Sequence, residues 1–158
     1  MTKPVSLTLT LPLPPGVNNQ YVTVGRRRVL SKSAQAFKRD VAKLVGGLRE
    51  RGELEPARER AFADALIGVY LTFYFTTPMR RDLDGGLKIA LDALAETLGF
   101  DDRSIVDLHL TKQIDPLHPR LEVELETIIG WAFDRTYVYL GDRGSDETDD
   151  DETRAEVE

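Results

Sequence analysis

Ala65 to Thr76 is a run dominated by β-branched and aromatic side chains, among them Ile67, Val69, Tyr70, Phe73, Tyr74 and Phe75. Such a run suits a pleated, well-buried strand. It is followed by Asp82-Leu83-Asp84-Gly85-Gly86, and then by a segment from about Gly86 to Leu98 with Leu87, Leu91, Leu94 and Leu98 at helical spacing. Asp101-Asp102 comes next, and then Ile105 to Lys112, where Val106, Leu108 and Leu110 alternate with Asp107, His109 and Thr111. A strand, a helix and a second strand in close succession require a layer of helix over a layer of sheet.

The remaining segments fit that plan. Val5 to Leu11 alternates apolar and hydroxyl residues with period two, and Pro12, Pro14, Pro15 and Gly16 end it. Tyr21 to Val24 and Arg27 to Leu30 flank Gly25-Arg26 as a small hairpin. Ser31 or Ser33 caps a helix from about Ala34 to Glu50, whose stripe is Ala34, Phe37, Val41, Leu44, Val45 and Leu48. Arg51 to Arg60 holds Gly52 and Pro56 and reads as a connector. Leu121 to Glu126 alternates strictly and reads as a last strand with one wet face. The expected fold is α/β (α+β) and two-layered, a mixed sheet of about four strands packed on two helices. The expected division is a folded domain over 1–134 and an acidic, disordered tail over 135–158, with Trp131, Phe133, Tyr137 and Tyr139 at the junction.

Composition narrows the function. The 158 residues suit one domain. No apolar run approaches membrane-spanning length, and the N-terminus enters a strand without a signal-peptide pattern. Cysteine is absent, which removes thiolate metal sites and fits a reducing cytoplasm. His109 and His118 lack zinc-type spacing. Residues 135–158 hold three Arg and nine Asp or Glu, whereas 1–134 hold 18 basic and 18 acidic residues. The net charge of −6 therefore belongs to the tail. The body carries basic clusters at Arg26-Arg27-Arg28 and Arg80-Arg81, so nucleic acid stays open as a partner.

The aspartates carry the chemistry. Mg²⁺ and Mn²⁺ prefer oxygen ligands and keep several waters, so two to four carboxylates anchor one or two ions. Such an ion activates water and stabilises a leaving oxygen in phosphodiester hydrolysis. Arg80, Arg81 and Lys88 stand where they can neutralise a phosphate. Plainer roles exist for each residue. Asp84 can cap the helix or pair with Lys88 at i+4, Asp101-Asp102 can be an exposed turn, and Arg80-Arg81 a solvated run. Two other motifs fail on spacing. An EF-hand counted from Asp82 needs Gly and Glu where Leu87 and Ala93 stand. A haloacid-dehalogenase-type phosphatase needs its Asp-x-Asp directly at the strand end, and here Thr76 to Arg81 intervene.

These residues resemble the RusA-type Holliday junction resolvases over about residues 5–127. The likeness rests on Pro14-Pro15-Gly16-Val17-Asn18-Asn19-Gln20-Tyr21, on the Ser31-to-Glu50 helix, and on Arg81-Asp82-Leu83-Asp84-Gly85-Gly86-Leu87-Lys88 with Asp92-Ala93-Leu94 and Asp101-Asp102. It implies a homodimeric, Mg²⁺-dependent endonuclease acting on four-way DNA junctions. It also implies that Asp82, Asp84 and Asp102, with Asp101 beside them, are the metal-binding catalytic carboxylates and that Lys88 is the catalytic lysine. Arg81 then contacts DNA, aided by Arg80 and Arg27, and Asn18 and Asn19 lie near DNA or the dimer interface. The family commonly has Asn directly after the second Asp, where this chain has Gly85-Gly86. Two other classes compete: a catalytically silent DNA-binding or regulatory dimer, and a metal-dependent phosphatase.

Overall fold

The computed structural model describes residues 3–79 and 81–132, so the expectations for Arg80 and for the acidic tail lie outside the described residues. In chain order the elements are β1 (Ser6–Leu11), β2 (Tyr21–Val24), β3 (Arg27–Leu30), α1 (Lys32–Glu50), α2 (Pro56–Asp64), β4 (Leu66–Phe75), α3 (Leu87–Leu98), β5 (Ile105–Ile114) and β6 (Arg120–Ile128). One sheet has the order β1-β6-β4-β5 and the hairpin β2-β3 forms a second. β4 and β5 run parallel, while β6 is antiparallel to both β1 and β4. The fold is α+β with a four-stranded mixed sheet, as expected.

Period-two alternation builds the core. Leu7, Leu9 and Leu11 of β1, Val69, Leu71 and Phe73 of β4, and Leu121, Val123 and Leu125 of β6 are all buried. α1 adds Ala34, Phe37, Val41 and Val45, and α3 adds Ala90, Ala93, Leu94 and Leu98. The opposite sheet face carries Tyr70, Thr72, Tyr74, Glu122, Glu124 and Glu126, partly or fully exposed. Of the two serines before α1, Ser31 is the cap: its hydroxyl accepts from the Ala34 N–H at 3.1 Å. Gly99, at φ 76°, closes α3 in a left-handed conformation that side-chain-bearing residues resist.

The structure departs from the sequence expectation in three places. The expected connector contains α2, because Pro56 sits at its first turn, where a missing N–H costs nothing, and Phe62 anchors it with no exposed surface. Leu44 lies at the edge of the α1 stripe and is 42% exposed rather than buried. β5 runs on to Ile114, and its alternation does not give one dry face: Leu108 is 39% exposed. β5 is an edge strand, with only β4 beside it.

Parallel strands need a crossover, and α3 supplies it. This fixes where the aspartates go. Asp82 and Asp84 leave the C-terminal end of β4, whereas Asp101 and Asp102 enter the N-terminal end of β5, where Ile105 pairs with Ile67 at the start of β4.

Phe62 tests the packing of α2. Phe62→Ala is expected to cost about 3–5 kcal/mol in chemical denaturation, and a loss under about 1 kcal/mol would place the ring outside the core.

Candidate nucleic-acid cleft and carboxylate site

The turn after β4 is held from three sides. From β5, the Lys112 ammonium donates to the carbonyls of Pro78 at 2.7 Å and Arg81 at 2.8 Å. From the loop after β1, the Pro14 carbonyl accepts from the Arg81 guanidinium at 2.6 Å. That guanidinium also lies 5.3 Å from the centroid of the Phe75 ring. Burial pulls the Arg81 pKa down, yet an arginine starts so high that it stays charged.

The third hold is Gln20. It is only 2% exposed, and its side-chain amide donates to the Pro15 carbonyl at 3.2 Å and the Gly85 carbonyl at 3.0 Å. A buried amide costs free energy unless it is bonded, so these two bonds fix the loop against the aspartate turn. The contact is tight. A Cβ built on Gly86 would lie 2.5 Å from Cγ of Pro14, and only glycine fits there. Gly85 has more room, its nearest neighbour being the Asp82 carbonyl at 3.4 Å.

Within the turn, the Gly85 N–H donates to the Asp82 carbonyl at 3.2 Å and the Leu87 N–H to the Asp84 carbonyl at 3.0 Å. The helix start is Gly86, with no side-chain cap, so the Asp84 carboxylate does not serve as one. The carboxylates of Asp82 and Asp84 are exposed and join no hydrogen bond or ion pair among the described residues. A cleft of about 350 Å³ opens beside them, lined by Asn18, Asn19, Arg81, Asp82 and Gly85 among others. The structure therefore brings together five residues from two distant stretches of sequence.

Lys88 pairs not with Asp84 but with Asp92, one turn on, at 2.7 Å. This hydrogen bond, helped by the charges of Asp92, Asp102 and Tyr21, raises the Lys88 pKa. Lys88 is thus a cation at neutral pH, suited to meet a phosphate and unsuited to act as a base. Asp101 is committed elsewhere. It caps the short turn Asp102–Ser104, accepting from the Arg103 N–H at 2.9 Å and from the Arg103 guanidinium at 2.7 Å. Bonding to Arg103 pushes the Asp101 pKa down to about 2. Asp102 is exposed and lies within electrostatic reach of Lys88.

The four aspartates are not gathered in one chain. Among the described residues no group of three or more His, Cys, Asp or Glu could hold a metal ion. The reason is topological. β5 runs from the Asp102 turn to Lys112, whose ammonium grips the Arg81 carbonyl. The stretch of β5 from Ile105 to Lys112 spans roughly 23 Å at a rise of about 3.3 Å per residue. Arg27 sits on the exposed hairpin, opposite Val24. Pro14, Gln20 and Lys112 matter to the site; Pro14 and Gln20 belong to the motif that carries the family likeness, but their roles as struts have no local sequence signal, and Lys112 has none at all. The prolines read as strand terminators, and a buried glutamine looks like any polar loop residue.

The fold and the cleft define an α+β protein with exposed carboxylates and a bound arginine at the end of its central strand. Residues 12–126 match the family described as Endodeoxyribonuclease RusA, and the chain belongs to that family. It is 31% identical over 121 residues to the crossover junction endodeoxyribonuclease rusA of Enterobacteria phage 82, covering 74% of this chain and 91% of the relative. It is likewise 31% identical over 122 residues to the crossover junction endodeoxyribonuclease RusA of Escherichia coli strain K12, covering 75% and 92%. For the protein of that name in Shigella sonnei strain Ss046 the identity is 30% over 122 residues.

Two outcomes test this geometry. Gly86→Ala should lower stability by about 1–3 kcal/mol in denaturant melts, because Pro14 cannot yield, whereas Gly85→Asn should stay near wild type. Equal losses in both would mean that the Pro14 contact is loose. The second concerns pH. A depressed carboxylate pKa contributes stability that is present above the ordinary carboxylate value and is lost as pH falls through the folded value, here between about 4 and about 2. An NMR titration should give Asp101 a midpoint near 2. In Arg103→Ala the midpoint should rise toward the ordinary range, and an unmoved midpoint would remove Arg103 as the cause.

Proposed function

We propose that the chain is a structure-selective endodeoxyribonuclease that hydrolyses phosphodiesters at four-way DNA junctions, with Mg²⁺ as cofactor, Mn²⁺ as substitute, and a homodimer as its working form. Family membership supports the reading, since the similar proteins are named crossover junction endodeoxyribonucleases. One observation carries it: a fixed Arg81, an unclaimed Asp82 and the amides of Asn18 and Asn19 share one cleft. An anion-binding cation beside an uncommitted carboxylate is the pairing that phosphodiester hydrolysis needs.

The donor chemistry suits the cofactor. Mg²⁺ takes carboxylate oxygens and retains waters, and Asp82 and Asp84 offer oxygens that no cation among the described residues claims. Asp82 and Asp84 would hold it, with Asp102 as a further ligand. When bound, the ion supplies an activated water and polarises the phosphate. The chain's own residues do the rest. Arg81, tied down by the Pro14 carbonyl, offers its charge without wandering. Lys88, kept protonated by Asp92, offsets charge that builds on the phosphate oxygens.

The distance between the Asp82–Asp84 turn and Asp102 gives dimerisation a chemical reason. A two-fold axis that sets opposite ends of two chains side by side brings the partner's Asp102 to Asp82 and Asp84 of the first chain. The same axis yields two equivalent sites, as two matched cuts on a nearly two-fold junction require.

The test is a nicking assay on a synthetic four-way junction against linear duplex, with and without Mg²⁺. Wild type should cut the junction only with metal. Asp82→Asn should abolish cutting yet keep junction binding, since it removes a negative charge facing phosphate. Cutting by that variant at the wild-type rate would end the assignment. Junction-selective binding with no nicking at any Mg²⁺ or Mn²⁺ level would point instead to a silent binding protein.

A further inference from the structure

The hairpin β2-β3 is the part of the chain that neither the core nor the carboxylate site explains. All its residues are exposed except Leu30, which is partly buried. A two-stranded hairpin is marginally stable alone, so one this bare asks what it meets. Register divides its faces. Val24 pairs with Arg27 and Val22 with Val29, while Thr23 pairs with Arg28 and Tyr21 with Leu30. Directly paired residues share a face. Arg28 and Tyr21 are therefore on one face, with the Arg28 guanidinium 5.0 Å from the Tyr21 ring centroid, and Arg27 is on the other with three valines.

The Tyr21 face is continuous with the carboxylate site. A second cleft, of about 650 Å³, is lined by Tyr21, Lys32 and Ser33, with Val22 at its edge, and shares Pro15, Asn18 and Asn19 with the first. The two clefts form one track from Asp82 past the asparagines to the hairpin. Beyond Asp82, the N-terminal stretch that supplies this track is one-sided in charge. Residues 1–39 contain seven Lys or Arg and not one Asp or Glu; the first acid is Asp40. A surface of that kind repels a copy of itself and attracts a polyanion. A two-stranded ribbon also has the width that a DNA major groove admits.

We propose that the hairpin is a DNA-binding arm, and that its Tyr21–Arg28 face, rather than Arg27, extends the active-site cleft along the strand that flanks the scissile phosphate. This deepens the nuclease reading and rests on it. Arg28 and Lys32 address backbone phosphates, and Tyr21 offers a platform for a base loosened at the branch point. Gln20 and Ser31 set the arm's position: the Ser31 N–H donates to the Gln20 carbonyl at 2.8 Å, and Gln20 is bonded to Gly85 beside the aspartates.

The test is fluorescence-anisotropy binding of a labelled four-way junction to the full chain in EDTA, over a series of salt concentrations. In the triple variant R26Q/R27Q/R28Q, the slope of log affinity against log salt should become shallower by about 1, close to the 0.9 expected for the one phosphate that Arg28 no longer neutralises. Sedimentation should show an unchanged assembly. Singly, Arg28→Gln should weaken binding several-fold more than Arg27→Gln. An unchanged slope overturns the arm. A smaller species in sedimentation overturns it in favour of a subunit contact, and equal or reversed effects in the single variants overturn the assignment of faces. Because binding is read without metal, these results stay separate from nicking. Wild type that binds but never nicks sinks the nuclease reading alone, and a triple variant that binds like wild type sinks the arm alone.

Discussion

The bond from the buried Gln20 amide to the Gly85 carbonyl is the contact on which the site depends. Loops between elements have little packing of their own, and two of them meet here, 65 residues apart in sequence. Among the described residues, the other hydrogen bond between the Pro-rich loop and the aspartate turn is that of Arg81 to Pro14, and Pro14 also presses on Gly86. In Gln20, a side chain that water would otherwise solvate becomes an internal strut, and both its partners are backbone carbonyls, so the geometry does not depend on flexible side chains. The cleft containing Asn18, Asn19, Arg81 and Asp82 exists because those two loops are held face to face.

The second constraint is the parallel pairing of β4 and β5. It forces α3 to cross over, and a crossover helix carries the chain from one end of the sheet back to the other. The Asp82–Asp84 turn and the Asp101–Asp102 turn are close in sequence and far apart in one chain. The intervening Lys88 leans toward Asp92 and feels Asp102, so its charge spans part of the gap.

Much of this was legible in the sequence. The β4 run, the alternation of β1 and β6, and the helical spacing of Phe37, Val41 and Val45 each depend on local periodicity, and local periodicity is what burial reads. The sequence failed where meaning depends on a distant partner. Pro56 looks like a breaker until Phe62 is seen buried beneath it. Leu108 looks like a core residue until β5 proves to be an edge. The spacing of the aspartates suggested one cluster, but spacing along a chain says nothing about which ends of a sheet a crossover joins. Gln20 stood in the motif that carries the family likeness, but its role was hidden because a strut and a solvated loop residue have the same letter.

Gly85-Gly86 shows how a local cost can be a tertiary requirement. Glycine at a helix start gives up backbone entropy that another residue would not, roughly 0.5–1 kcal/mol relative to alanine inside an element. Judged locally, both glycines weaken the site. The two positions are not alike, however. At Gly86 a Cβ would drive into Pro14, so the entropic cost is offset by a close approach that no other residue permits. At Gly85 the space is ordinary, and the position can accept the asparagine common at this place in the family. Of the two glycines, Gly85 is the one that packing does not demand. Its neighbour keeps the turn pressed to the proline loop, and it is that pressure which leaves the Asp82 and Asp84 carboxylates facing outward, toward whatever enters the cleft.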